Sequence, residues 1–238
     1  TGGSITGNEA TGSFSVATGI SFLYGGGGIY VNGYDNAKDN GKLHLEKVAI
    51  TANTSNTSGA GIAGCPSSNV DMKVDSGGVV ACNTVNGKPY DVYINRNIIS
   101  GPDGSDHSGG VKFSLSKYML NGALNNWTFY ETNERVPMQD VFQYDVKGTG
   151  SFYSAAKQSD IEAAEKVCAE NGVIISGNHS VQGGGGIGTN GEVNIGKDPN
   201  LYDFFDVLVN KNWKNENGEE LTPEEIAELE KEVQKVTV

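Results

Sequence analysis

Three copies of one short phrase constrain this chain more than any other feature. Ser4-Ile5-Thr6-Gly7-Asn8 is followed by Gly26-Gly27-Gly28-Ile29. Ala49-Ile50-Thr51-Ala52-Asn53 is followed by Gly59-Ala60-Gly61-Ile62. Ile175-Ser176-Gly177-Asn178 is followed by Gly184-Gly185-Gly186-Ile187. Each copy sets an apolar β-branched residue, a small residue, an Asn and then a glycine-rich approach to a new strand. Glycine allows positive φ and close backbone approach. Asn tolerates the left-handed region and bonds the backbone through its amide. Repeats of this kind build stacked coils whose Ile and Val side chains lie above one another. The expectation is an all-β fold, a right-handed parallel β-helix (solenoid).

The rest of the N-terminal half fits short strands. Gly28-Ile29-Tyr30-Val31-Asn32-Gly33 reads as a strand stopped by an Asn-Gly turn. Lys42-Leu43-His44-Leu45-Glu46 alternates and then runs apolar through Ile50. Val70-Asp71-Met72-Lys73-Val74 alternates again, while Val79-Val80-Ala81-Cys82 and Val92-Tyr93-Ile94 are short apolar runs. Such segments with Gly and Asn punctuation are strand signals. From about residue 100 to 172 the phrase is interrupted, and aromatic residues gather between Phe113 and Tyr153. This predicts an aromatic-rich insertion in the solenoid. One or two short helices are expected as well. Ser159 and Glu162 form a capping-box pattern. Ile161, Ala164, Val167 and Cys168 supply an apolar face, and Asn171-Gly172 supplies a stop. A second, acidic helix is expected to open at Thr222-Pro223-Glu224-Glu225.

Composition excludes several functions. A net charge of -12 without basic clusters argues against nucleic acid. No stretch approaches the roughly 20 apolar residues of a membrane helix. Collagen is excluded, because the 34 glycines have no three-residue period. Neither a CxxC nor a Cys/His metal spacing occurs, so no metal site and no cofactor is expected. Cys65 and Cys82 flank a turn-rich segment and are candidates for a disulfide; the other reading makes all three cysteines small buried apolar groups, with Cys168 in the core. Both ends of the chain read as cut, which suggests a piece of a longer surface protein.

The glycine-rich phrases, with Gly185-Gly186-Ile187-Gly188-Thr189-Asn190-Gly191, resemble the coils of right-handed parallel β-helix surface proteins. These include the chlamydial polymorphic membrane proteins and large adhesins of anaerobic Gram-positive bacteria. The tail resembles a second family. Val207-Leu208-Val209-Asn210-Lys211-Asn212-Trp213, an Asn-Gly turn and Glu219-Glu220-Leu221 look like the first strand of a collagen-adhesin B-type (Cna-B) repeat. In that family the Lys two before the Trp forms an intramolecular isopeptide bond, and Lys211 matches that position. The acceptor and the buried acid of the family belong to later strands, which this chain does not contain. Together the resemblances imply a β-helix domain over 1–200 and the start of a truncated stalk domain over 201–238. They imply an extracellular protein, cell-wall anchored through a region outside this chain.

The function expected is that of a non-enzymatic adhesin or structural surface module, binding a glycan or a host protein. Trp127, Phe129 and Tyr130 are its candidate binding residues, because aromatic rings stack on sugars and pack in protein interfaces; the competing reading makes them the insertion's own small core. One alternative is a carbohydrate-active β-helix enzyme, a polysaccharide lyase or hydrolase. Asp103, Asp106 and His107 are then the catalytic candidates, since a turn presents two carboxylates and an imidazole together. With Arg96 and Arg135 as the sole arginines, a cationic clamp for an enolate-like intermediate is not evident. The other alternative is an extracellular filament subunit, joined to other copies of the same chain by strand complementation.

Overall fold

A computed structural model of the chain describes residues 2–195, apart from residues 13–14, 18–19, 23–24, 33–40, 65–69, 97–98, 101–105, 108–110, 139–140, 146–147, 171, 182 and 190. The chain divides into two compact units, Thr1–Asp198 and Pro199–Val238. The second lies outside the described residues, and with it the expected stalk strand and acidic helix.

Among the described residues, the first unit has four sheets of four to six strands and one helix, besides two two-stranded pairs. Sheet I has the order Val79–Ala81, Val48–Thr51, Gly3–Thr6, Val173–Ser176. Sheet II has the order Val141–Asp145, Val111–Ser116, Val70–Ser76, Lys42–Glu46, Glu192–Ile195. Sheet III is formed by short strands, in the order Lys88–Pro89, Thr84–Val85, Thr54–Ser55, Glu9–Ala10, His179–Ser180. Sheet IV has the order Trp127–Phe129, Gly148–Ser154, Val92–Arg96, Ile62–Gly64, Ile29–Val31, Ile187–Thr189. Two small antiparallel pairs complete the strands: Ser15–Ala17 with Ile20–Phe22, and Ile99–Ser100 with Asp106–His107.

This arrangement corrects the expectation of a right-handed parallel β-helix. The sheets are layered, and they mix parallel and antiparallel neighbours. Val92–Arg96 runs parallel to Ile62–Gly64 but antiparallel to Gly148–Ser154. Val111–Ser116 runs parallel to Val70–Ser76 but antiparallel to Val141–Asp145. Nor does the order of strands follow the chain, because Val173–Ser176 returns to pair with Gly3–Thr6, the first strand. The segment 100–172 is likewise no excursion. Its strands at 111–116, 127–129, 141–145 and 148–154 are members of sheets II and IV. The physical reason is edge satisfaction: the strands at 92–96 and 111–116 would otherwise leave unpaired N–H and C=O groups, and 148–154 and 141–145 supply antiparallel partners for them.

Register explains the core. Ile175, Ile5, Ile50 and Val80 lie opposite one another across sheet I. Ile187, Ile29, Ile62, Val92 and Phe152 do the same across sheet IV. Sheet II adds Leu43, Leu45, Met72 and Val74, so that one continuous apolar cluster fills the space between the sheets. The alternating run at residues 42–46 lies as its pattern predicts, with Leu43 and Leu45 buried and Lys42, His44 and Glu46 partly exposed. Lys47, at φ 54°, breaks this run and turns the apolar continuation Val48–Thr51 into a separate strand of another sheet.

The helix spans Gln158–Ala169 and packs on the outer side of sheet I, with Ile161, Ala164 and Cys168 against Ala49, Val79 and Ala81. Thr51 Oγ1 donates to Glu165 Oε1 at 2.6 Å, tying sheet to helix. The predicted capping box does not form; the N-cap is Lys157 and makes no side-chain capping bond. Val167 also departs from the predicted apolar face and is exposed. After the helix, Gly172 passes so close to the first strand that an added Cβ would sit 2.1 Å from Gly2 O, and only glycine permits that approach.

Candidate functional site

The repeated Asn is the organising group of the molecule. At Asn8, Asn53, Asn83 and Asn178 the preceding residue has positive φ: Gly7 (64°), Ala52 (53°), Cys82 (59°) and Gly177 (69°). This left-handed step ends a strand of sheet I and aims the carboxamide inward. The four side chains then form a hydrogen-bonded ladder. Asn178 donates from Nδ2 and from its backbone N–H to Asn8 Oδ1, at 2.8 and 3.0 Å. Asn8 donates in the same two ways to Asn53 Oδ1, both at 2.9 Å. Asn53 does so to Asn83 Oδ1, at 2.8 and 3.0 Å. The second Nδ2 hydrogen reaches the neighbouring strand: Asn8 to Ile175 O, Asn53 to Ile5 O and Asn83 to Ile50 O.

The last rung is an acid. Asn83 donates from N–H and Nδ2 to Asp91 Oδ1, and Ser154 N–H donates to Asp91 Oδ2 at 2.7 Å. Asp91 is fully buried, and its burial pushes the carboxyl up to about 7 against the opposing pull of these N–H donors. Aligned amides polarise one another in a low-dielectric interior, so every rung strengthens its neighbours. The glycines opposite make the room. A Cβ on Gly28 would stand 3.1 Å from Asn53 Nδ2, and one on Gly186 would stand 3.1 Å from Asn8 Nδ2.

Asn83 and Asp91 were not part of the repeated phrase. Their signal is nonetheless present, in Val80-Ala81-Cys82-Asn83, which keeps the apolar residue three before the Asn. Cys82 stands where the other copies have Gly or Ala, and Asp91 stands in register with Gly28 and Gly61, just before the strand residues Val92, Ile29 and Ile62.

At the opposite end of the ladder four strands are outermost among the described residues. Val173–Ser176, His179–Ser180, Ile187–Thr189 and Glu192–Ile195 are each the outermost strand of their sheet. Val173, Ile174 and Val181 are 59%, 63% and 73% exposed there. His179 Nδ1 lies 3.1 Å from Glu9 Oε2, beside Asn178.

The aromatic candidates sit elsewhere. Trp127 is 2% exposed, packs in the main core and donates from Nε1 to Ser116 O at 2.9 Å. Phe129 is partly buried against the same core. Tyr130 is partly buried too, its ring stacked on Tyr90 with centroids 4.1 Å apart. The structure thus spends these rings on internal packing. Asp106 and His107 form a two-residue strand paired antiparallel with Ile99–Ser100, while Asp103 lies outside the described residues. Lys211 and Cys65 lie outside them as well. Cys82 has a free thiol, which donates to Gln158 Oε1 at 3.4 Å, and Cys168 is free and buried.

Among the described residues no group of three or more His, Cys, Asp or Glu is placed to hold a metal ion. Among the same residues no helix is long and apolar enough to cross a membrane. No family model, curated protein or solved structure matches this chain.

Proposed function

We propose that the chain is a non-enzymatic module of a cell-surface protein, an adhesin or structural segment, and that it binds a polypeptide partner along the open edge of its sheets. The observation that carries this reading is the coincidence of four outermost strands at one end, with Val173, Ile174 and Val181 exposed beside them. Unpaired strand edges with apolar side chains are templates for an added strand. Support for the surface location comes from the resemblance of the glycine-rich phrases to those of surface adhesins and from the Cna-B-like tail with Lys211. Glycan binding through Trp127, Phe129 and Tyr130 has less support, since their rings are engaged with the core and with Tyr90.

The test sets the full chain against a panel of purified extracellular proteins, a glycan array and a set of acidic polysaccharides. The expected result is saturable binding to a protein, lost on I174D with V181D, and no shortening of any polysaccharide. Glycan binding that survives both substitutions, or polysaccharide cleavage, would overturn the reading.

A further inference from the structure

We infer that the open edge selects a partner strand carrying its own Asn after a small residue, docked parallel and in register so that it continues the ladder at Asn178. This rests on the proposed reading of that edge as the working surface. The ladder has a direction: each Asn donates twice toward Asp91, and Asn8, Asn53 and Asn83 each accept twice from the rung behind. Among the described residues Asn178 is the rung with nothing behind it. Its Nδ2 and N–H are used, and among the described residues no donor reaches its Oδ1.

The vacancy defines its occupant by chemistry. Filling it as the interior rungs are filled takes one residue that offers a backbone N–H and a side-chain N–H about 3 Å from a single oxygen. Asn does this after a left-handed residue, as at Gly7-Asn8 and Ala52-Asn53. Ser, Thr and ionised Asp have no side-chain N–H, and Gln carries its amide one methylene further out. The apolar residue three before that Asn would cover Ile175 as Ile5 covers Ile50.

Two observations point to a partner polypeptide as the occupant. None of the asparagines between residues 196 and 238 follows a glycine or another small residue, so these residues carry no copy of the phrase. End-on stacking of identical copies by this device is blocked as well. The acid end of the ladder is closed by Ser154 N–H, and Gly148–Ser154, the strand beside Val92–Arg96 at that end, runs antiparallel. Among the described residues the ladder thus ends in an acceptor without a donor at Asn178 and in Asp91 at the other end, which weighs against ladder-driven filament growth.

The experiment titrates the isotope-labelled full chain with a synthetic peptide having the sequence of residues 2–10, which contains Ile5-Thr6-Gly7-Asn8, and with the same peptide bearing N8L. The expected result is saturable chemical-shift change confined to residues 173–181, the strands that pair with residues 3–6 and 9–10 and the residues joining them, with an affinity about tenfold weaker for the N8L peptide, the size of a lost pair of hydrogen bonds. The I174D protein, altered at an exposed position, should lose both. Equal affinity for the two peptides, with both lost on I174D, would overturn the ladder as the selecting device while leaving the edge as a docking surface. No binding by either peptide, or shifts elsewhere, would overturn the inference outright, and the protein-panel result would still judge the broader function independently.

Discussion

Asn83 and Asp91 are joined twice: the backbone N–H and the Nδ2 of Asn83 both donate to Asp91 Oδ1, at 2.9 and 2.7 Å, with both residues fully buried. A neutral amide ladder is thereby terminated by a titratable group. Burial raises the Asp91 carboxyl to about 7, from an ordinary value near 3.8.

Stability should therefore depend on pH in a specific direction. Between about pH 4 and 7 the folded state binds a proton at Asp91 that the unfolded state has released, so folding is favoured at the acid side and weakens as pH rises through the window. Below pH 4 both states are protonated and this contribution levels off. Denaturant titrations at closely spaced pH values should show the decline, and D91N should flatten it. A wild-type profile that rises across the same window and matches D91N would sink the assignment.

Interior rungs should matter far more than the exposed one. N53A removes the acceptor of two Asn8 donors and the Nδ2 that donates to Asn83 Oδ1 and Ile5 O, leaving buried polar groups unpaired. The expected loss is about 3–5 kcal/mol. N178A touches an exposed rung and should cost about 1 kcal/mol or less. Equilibrium unfolding of the two variants side by side is the check.

Two glycines of the phrase should respond differently to alanine. At Gly28 an added Cβ would meet Gly61 O at 2.7 Å and crowd the Asn53 amide, so G28A is expected to cost about 2–3 kcal/mol. At Gly7, φ is 64° and nothing lies within 4 Å of an added Cβ. Ala52 already occupies the equivalent place at φ 53°. G7A should therefore cost only about 1 kcal/mol, the strain of the left-handed conformation. Thermal melts reverse the conclusion if G7A is the more damaging.

Cysteine labelling offers an independent probe of the helix. Burial pushes the Cys168 thiol up to about 11, with Glu165 adding to the shift, and its side chain is packed between the helix and sheet I. Burial, then Asp91, Glu165 and Glu162, also hold the Cys82 thiol above its ordinary value. Alkylation of Cys168 at pH 8 should therefore follow unfolding rather than precede it, and Cys82 should react more slowly than a cysteine in a short peptide. Mass-mapped labelling in native and denaturing buffer measures both.

Much of the local design is legible in the sequence. Ile5, Ile50 and Ile175, each three residues before an Asn and followed by a glycine-rich return, announce inward β-branched residues and tight corners, because strand period and turn chemistry are properties of neighbouring residues. The helix face at Ile161, Ala164 and Cys168 is readable for the same reason. Other features depend on which strand meets which. That Val173–Ser176 returns to the first strand, that the aromatic segment joins sheets II and IV, and that Asp91 takes the place of a glycine to seal the ladder are non-local facts. Trp127 illustrates the difference: its type suggests either a ligand platform or a core residue, and burial against Ser116 and the main cluster decides. Local propensity determined the pieces and their corners, whereas the pairing of edges, driven by backbone groups that must not be left unbonded, decided their order and left one end open.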